Sequence, residues 1–183
     1  NGNMLILNDK DEQIPISQAD AKYKRYIGNG APKHFLSWSN NLTWKNFDLS
    51  VFFRGTFGFD VFNMRKYGMG LQGCGTDNVL RSAYLEDKNI RTGGGVISSY
   101  FLEDGSFIKL ENVTLGYNFT PKNRKLLDNM RIYLSAKNLF TLTGYSGNDP
   151  SIIDVNGIQP GVDSNSAYPT ATQLSLGVTL RFK

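Results

Sequence analysis

Five segments of the chain alternate apolar and polar side chains at every second residue, which is typical of β-strands whose two faces meet different surroundings. The clearest begins at Phe47, where large apolar residues at odd positions alternate with mostly polar residues at even positions as far as Val61, and Phe52 is the one large apolar residue out of phase. On this pattern we predict antiparallel strands at about residues 35–44, 47–61, 106–119, 130–142 and 172–183.

The third segment changes phase partway along its length. Leu110 lies at an even position, whereas Val113 and Leu115 lie at odd positions. One extra residue turns every later side chain to the other face of a strand. The change near Glu111 and Asn112 therefore indicates either a β-bulge or a passage from the membrane to a protruding rim, and the pattern leaves both open.

The connections between the predicted strands alternate in length. Residues 45–46 and 120–129 form short turns, whereas residues 62–105 and 143–171 form long connections, and residues 1–34 precede the first strand. Short periplasmic turns and long extracellular loops are typical of membrane β-barrels. Five strands cannot close a barrel around a channel, so other strands would complete it. A soluble β-sandwich that binds glycans or proteins through its loops also alternates, and it stays the alternative.

The membrane interpretation assigns the aromatic residues beside the short turns to a belt at the lipid headgroups, where amphipathic rings settle. The residues of this lipid-facing belt are Trp44, Phe47, Tyr117, Phe119 and Phe182. A second belt towards the long loops would contain Phe57, Phe59, Phe140 and Tyr145.

The polar faces of the same strands would line a wetted barrel interior. The residues predicted to face this lumen, and with it a passing substrate, are Asp48, Ser50, Arg54, Asn112, Thr114, Asn118, Tyr133, Lys137 and Arg181.

Composition narrows the class of protein further. Aromatic residues make up 13% of the chain and charged residues 20%, which favours strands over helices. The net charge of +4 is scattered along the chain, so the sequence predicts no nucleic-acid partner. No apolar stretch approaches the ~20 residues of a membrane-spanning helix. With one Cys and one His the chain offers no zinc ligand set and no Cys–His catalytic pair, and we predict no catalysis, no cofactor and no metal site.

Two loop motifs have more than one interpretation. Residues 68–73 match the dinucleotide fingerprint G-x-G-x-x-G, but the fingerprint requires a buried parallel strand before it, and the preceding segment is polar on one side. Loop glycines are therefore the favoured interpretation. The acidic residues of 148–156 could offer oxygen ligands to calcium, or form turns built from Asx side chains, and the presence of calcium stays open.

Several segments carry a resemblance in the order of the chain. Asp104–Tyr117 reads DGSFIKLENVTLGY and Arg131–Tyr145 reads RIYLSAKNLFTLTGY, while Tyr26–Lys33 and Lys45–Ser50 lie upstream. These segments resemble the C-terminal barrel portion of SusC/RagA-type TonB-dependent, or TonB-linked, outer-membrane transporters. The resemblance extends over most of the chain.

This resemblance implies an all-β fold in which these are the C-terminal antiparallel strands of a large transmembrane β-barrel, with 22 strands and long extracellular loops. It implies a location in the bacterial cell outer membrane, among its lipids, with the rest of the barrel and a plug completing the protein. It also implies active import of oligosaccharides or peptides. The implied partners are a SusD-like surface lipoprotein and the TonB–ExbB–ExbD energy complex, which the missing N-terminal part would contact. A third possibility is a barrel that serves only as an anchor or a passive porin. Such a protein would lack the plug and the TonB-contacting segment.

The chain opens at Asn1 without a Met and without the pattern of a signal peptide. We therefore expect either a processed chain or a piece that begins within a longer protein.

Overall fold

The computed structural model describes residues 2–72, 78–85, 90–91, 95–122, 126–153, 157–164, 168 and 170–183. The chain forms two compact units. The loop unit contains Asn1–Ala31, Phe59–Asp104 and Ile153–Ala167, and the sheet unit contains Pro32–Gly58, Gly105–Ile152 and Tyr168–Lys183.

The described elements are mostly strands. In chain order the strands are β1 (Leu5–Leu7), β2 (Gln13–Pro15), β3 (His34–Trp44), β4 (Phe47–Phe57), β5 (Asp60–Asn63), β6 (Leu102–Asp104), β7 (Phe107–Phe119), β8 (Leu127–Thr143), β9 (Val162–Asp163) and β10 (Gln173–Phe182). The helices are α1 (Met64–Met69) and α2 (Ser82–Leu85), with single 3₁₀ turns at Ile16–Gln18, Ala21–Tyr23, Ser99–Phe101 and Pro150–Ile152. No helix in the described ranges has the length and apolarity needed to cross a bilayer.

The sheet unit is built on one antiparallel sheet with the strand order β10-β8-β7-β4-β3. The antiparallel all-β architecture predicted from the sequence is therefore confirmed. Counting only these five strands, neighbours in the sheet follow one another along the chain, as expected for an up-and-down arrangement; β5, β6 and β9 lie in the intervening connections. The described strands form an open sheet whose outer edges are β3 and β10.

One face of this sheet, the apolar face, is organised in rows that cross all five strands. The register places one leucine from each strand in a single row. The members of this leucine row are Leu42, Leu49, Leu115, Leu134 and Leu176. Leu134 is 51% exposed and Leu176 is 76% exposed. A β-sandwich would bury such a row beneath a second sheet, so these exposures argue against the soluble alternative.

A β-bulge explains the phase change in β7. Leu110 pairs with Phe53 and Asn112 pairs with Phe52, which leaves Glu111 as the extra residue opposite β4. The pairing with β8 is irregular at the same level, where Asn138 takes a φ of 53°. Of the two possibilities raised by the sequence, the structure shows the bulge. Its effect is to keep Leu110 on the apolar face despite its even position.

The second predicted strand is too long at its end. β4 stops at Phe57, and Gly58 then turns the chain with a φ of 73°, a conformation that glycine adopts readily. Phe59 and Val61 are 2% and 0% exposed and lie in the loop unit. They continue the alternation of β4 although that strand has ended, because both are buried residues of the loop unit. Phe59 is therefore wrongly assigned to the second aromatic belt, and so is Tyr145, which is also buried.

The other strand bounds lie closer to the prediction. β8 begins at Leu127 and not near 130, so the preceding turn is shorter than the predicted 120–129. That turn includes Arg124 and Lys125, which lie outside the described residues, as does Cys74.

The loop unit has a small core of its own. Met4, Leu71 and Phe101 are buried together, and Phe62 and Tyr67 pack against them. The rings of Tyr67 and Phe101 meet edge to face with centroids 5.3 Å apart. In another sheet, β5 lies between β6 and β9. It pairs antiparallel with β6 and parallel with β9. The described parts of the long connections therefore contain strands and helices of their own.

The glycine motif does not have dinucleotide-binding geometry in its described part. β5 leads directly into α1, whose first turn is capped by Asn63 accepting a hydrogen bond from the Lys66 amide at 2.9 Å. Gly68 lies inside α1 and not in a strand-to-helix turn where a phosphate would bind. Gly73, Glu86 and Asp87 lie outside the described residues.

Candidate functional site

The candidate site is the face of the five-stranded sheet opposite the leucine row, called the polar face. All nine residues predicted to face a lumen lie on this face. The strand register shows this, because residues that pair across neighbouring strands point to the same side of the sheet. Asp48 pairs with Gly116, which pairs with Tyr133, and Ser50 pairs with Thr114. Arg54, Asn112, Asn118, Lys137 and Arg181 follow in the same phase.

One ion pair on the polar face joins β4 to β8 across β7. The Arg131 guanidinium donates to both oxygens of Asp48, with Nη2 2.5 Å from Oδ2 and Nε 3.1 Å from Oδ1. Asn118 donates through Nδ2 to the same Oδ1 at 2.7 Å. Bidentate arginine–carboxylate pairs fix geometry as well as charge. The sequence singled out Asp48 and Asn118 but not Arg131, since only the register reveals that these residues meet.

Two glycines allow these side chains to lie flat on the sheet. A Cβ at Gly116 would stand 2.6 Å from both Asp48 carboxylate oxygens. A Cβ at Gly177 would stand 2.3 Å from Cζ of the Tyr133 ring, which therefore covers that glycine. The Arg131 guanidinium lies 4.9 Å from the centre of the same ring. The two glycines thus belong to the site although they carry no side chain.

A second ion pair lies at the bulge. Arg54 Nε is 2.7 Å from Oε2 of Glu111, and its guanidinium lies 5.3 Å from the centre of the Phe107 ring. Both charged side chains are about one-third exposed, so solvent screens the pair and its contribution to stability is small. Glu111 was noted in the sequence only as the point of the phase change. The bulge places it within reach of Arg54.

The middle of the polar face carries hydroxyl and amide groups. Thr114 and Ser135 are joined at 3.2 Å, and the Ser135 hydroxyl lies 3.3 Å from Oδ1 of Asn112. Lys137 is exposed beside them. At the far end Arg181 is largely exposed and lies 3.6 Å from Asp128. This arrangement offers hydrogen bonds to a polar molecule and contains no paired carboxylates set for acid–base chemistry.

A third ion pair is buried. Lys109 and Asp149 are 2% and 5% exposed, and Nζ of Lys109 lies 2.9 Å from Oδ2 of Asp149. Nζ also lies 2.8 Å from the Ser151 hydroxyl and 3.5 Å from the Thr170 hydroxyl, which itself donates to Asp149. Burial alone raises the pKa of Asp149, but hydrogen bonds from Thr170, Ser151 and Lys109 outweigh it and lower the pKa below its usual value. No sequence pattern indicates this pair, since its members are 40 residues apart along the chain.

The same contacts bear on the calcium interpretation. The Asp149 oxygens accept hydrogen bonds from protein groups, including the Ser151 amide at 2.8 Å. In the described part of the chain, no three His, Cys, Asp or Glu residues are grouped as metal ligands. Asp154 and Asn156 lie outside the described residues.

The apolar face carries aromatic residues at both ends. Trp44, Phe47 and Tyr117 share one row, with ring centroids 6.5 Å and 4.9 Å apart. Phe119 lies one row beyond the Trp44 row, towards the short turns, and Phe182 lies beyond Phe119 in the same direction. Such a stagger from strand to strand is expected when strands tilt in a barrel. At the other end, Trp38 and Phe53 lie 5.7 Å apart in the row of Phe140. The sequence placed Phe140 there but did not single out the other two.

Comparison with known proteins gives a consistent result. No family model matches the chain. The TonB-dependent receptor P3 of Formosa agariphila is 28% identical over 97% of this chain, and the TonB-dependent receptor SusC of Bacteroides thetaiotaomicron is 28% identical over 98%. The chain covers 19% and 18% of these two proteins, so it spans about a fifth of the length of the relatives it matches.

Solved structures agree on the fold. The RagAB peptide importer in its open-open state aligns with a TM-score of 0.73, at 25% identity, over 98% of this chain and 20% of that chain. The closed-closed state gives the same TM-score at 24% identity. These comparisons confirm the resemblance that the sequence motifs indicated.

Proposed function

This chain resembles the SusC/RagA-type TonB-dependent receptors of the bacterial outer membrane over nearly its whole length, and from this premise we propose that it forms part of the barrel wall of an active outer-membrane importer. The apolar face meets lipid, and the polar face meets the lumen through which a solute passes. The full-length protein imports oligosaccharides or peptides. It acts with a SusD-like surface lipoprotein at the extracellular mouth and with the TonB–ExbB–ExbD complex as its source of energy.

The observation that carries this proposal is the composition of the apolar face. Five rows run from Trp44 to Leu36 on β3, and apart from Asn40 every side chain in them is apolar or aromatic, or is a glycine. The rows extend roughly 27 Å along a strand, or about 21 Å at a tilt of ~40°, which is close to the ~25 Å band of outer-membrane barrels. An apolar surface of this extent on an exposed sheet calls for a hydrophobic environment.

The chemical groups on the polar face support oligosaccharides or peptides as the proposed solutes. Its closest charges neutralise one another, in the pairs Asp48–Arg131 and Arg54–Glu111. What remains for a solute is mainly hydroxyl, amide and phenol groups, with the exposed Lys137 among them. Such a surface suits large polar solutes that are rich in hydrogen-bonding groups, as oligosaccharides and peptides are. It suits a densely charged solute less well.

Uptake by the source bacterium tests this proposal. The gene for the full-length protein is deleted, and depletion of a partially hydrolysed polysaccharide and of a tryptic casein digest from the medium is followed by mass spectrometry. We expect loss of uptake for a defined subset of oligosaccharides or peptides and recovery on complementation. Disruption of TonB should abolish the same uptake, whereas a passive porin would keep it. Unchanged uptake of every component in the deletion strain would contradict the proposal.

A further inference from the structure

The buried Lys109–Asp149 pair ties a strand of the sheet to the connection between β8 and β10. Lys109 lies on β7, and its ammonium reaches Asp149 and Ser151 in the segment 145–152 and Thr170 just before β10. Of these contacts, the ones to Asp149 and Ser151 are shorter than 3.0 Å. A buried lysine with an acceptor for each of its donors is a satisfied group and not a free one.

The segment 145–152 is itself packed against this end of the sheet unit. Tyr145, Asp149 and Pro150 are buried, whereas Ser146 and Asn148 are exposed. A Cβ at Gly147 would stand 2.2 Å from the Tyr145 ring, so the segment folds closely upon its own aromatic residue. It therefore has an inner side that packs and an outer side of small polar groups.

The polar face is buried at this end. Phe107 and Thr56, which pair with each other beside Lys109, are both buried. At the opposite end Asp48 and Arg131 remain partly exposed. Burial of the polar face thus coincides with the place where Lys109 reaches 145–152.

Charge balance explains why Asp149 is needed there. Lys109 pairs with Arg54 across the two strands, so two cations stand side by side on the polar face. Glu111 neutralises Arg54, and Asp149 neutralises Lys109. Without Asp149 a buried lysine would lack its counter-charge beside an arginine, which is a costly arrangement.

We propose that Lys109 is a positioning residue that holds residues 145–152 against the polar face, so that a solute at this end of the sheet meets this segment and not strands β4 and β7. The solute part of this statement rests on the proposed function. The exposed residues of this segment are Ser146 and Asn148.

Hydrogen–deuterium exchange of the full-length protein in lipid tests the positioning role. Lys109→Met and, as a second variant, Asp149→Asn each remove one charge of the pair. We expect amide exchange within 145–152 to become at least about tenfold faster in both, because the segment loses its buried tie. Lys109→Arg should retain most of the protection. Arg54→Met is the matched control, since it breaks a neighbouring pair that does not touch the segment, and it should leave 145–152 unchanged.

Uptake kinetics separate positioning from a general loss of fold. With a partially hydrolysed polysaccharide and a tryptic casein digest as probes, Lys109→Met should change the half-saturation concentration at least about threefold while the maximal rate stays near that of the unaltered protein, and Lys109→Arg should restore it. Unaltered exchange in both Lys109→Met and Asp149→Asn would overturn the positioning role. Faster exchange with unchanged half-saturation would overturn the solute-facing role. Absence of uptake by the unaltered protein would instead count against the proposed function and leave the exchange result standing.

Discussion

A lysine in the leucine row distinguishes a lipid-facing surface from a water-facing one. Leu176 lies within β10, pairs with Leu134 on β8 and is 76% exposed. In a soluble protein, a substitution at so exposed a position changes the free energy of unfolding by no more than ~0.5 kcal/mol. In a bilayer, Leu176→Lys would place a charge in hydrocarbon.

The magnitude follows from the position of this row. On β3 this row is next to the aromatic row of Trp44, and one row lies between it and the row of Trp38. Along β10, Val178 and Leu180 lie between Leu176 and the belt residue Phe182, so Leu176 lies within the apolar band. A lysine near the midplane of an outer-membrane barrel costs about 2–4 kcal/mol. The neighbouring Ser175 points to the polar face, and Ser175→Lys should cost less than ~0.5 kcal/mol on the same account.

The assay compares these two variants in the full-length protein. Each is folded into lipid vesicles across a guanidinium series, and the folded fraction is read from the heat-dependent shift in gel mobility. We expect Leu176→Lys to lower the free energy of unfolding by about 2–4 kcal/mol relative to Ser175→Lys. Equal stability of the two variants would refute the assignment of the apolar face to lipid.

Three further predictions concern the polar face and its loop. Arg131→Met leaves Asp48 without its guanidinium and should lower the free energy of unfolding by about 1–3 kcal/mol in the same assay, with Asp48→Asn costing less. Asn138→Val places a β-branched residue at a φ of 53° and should cost about 1–2 kcal/mol more than Asn138→Gly, measured in the same way. The pKa of Asp149 is lowered by its hydrogen-bond donors despite burial, so the stabilisation it provides is present above the unfolded pKa near ~4 and is lost as pH falls through the lower folded value. The rate of amide hydrogen exchange within residues 145–152, corrected for the intrinsic exchange rate, should therefore rise below about pH 4. Asp149→Asn should remove this pH dependence.

The strands could be predicted from the sequence because two different surroundings leave a period of two in the side chains. Where the period is broken, the sequence marked the place but not the cause. At Glu111 it allowed a bulge or a rim, and only the pairing of Leu110 and Asn112 decides between them. At Gly58 it failed, because Phe59 and Val61 continue the period after the strand has ended.

The site could be predicted only as a face and not as a set of contacts. Period two places Asp48 and Asn118 on the polar face, but it does not reveal that Asp48 accepts hydrogen bonds from both Asn118 and Arg131, since this depends on the register of three strands. The pairing of Lys109 with Asp149 was missed because this contact is formed by a loop that folds back onto the sheet. Periodicity within one segment carries no information about such distant pairs.

The measurement that tests the central claim most directly is the accessibility of spin labels along β10. Single cysteines at Leu174, Ser175, Leu176, Val178 and Thr179 are introduced in the full-length protein with Cys74 replaced by serine, labelled and reconstituted in lipid. If the apolar face meets lipid, labels at 174, 176 and 178 will collide mainly with dissolved oxygen, and labels at 175 and 179 mainly with a water-soluble nickel complex. Equal access of the nickel complex to both sets would contradict the account.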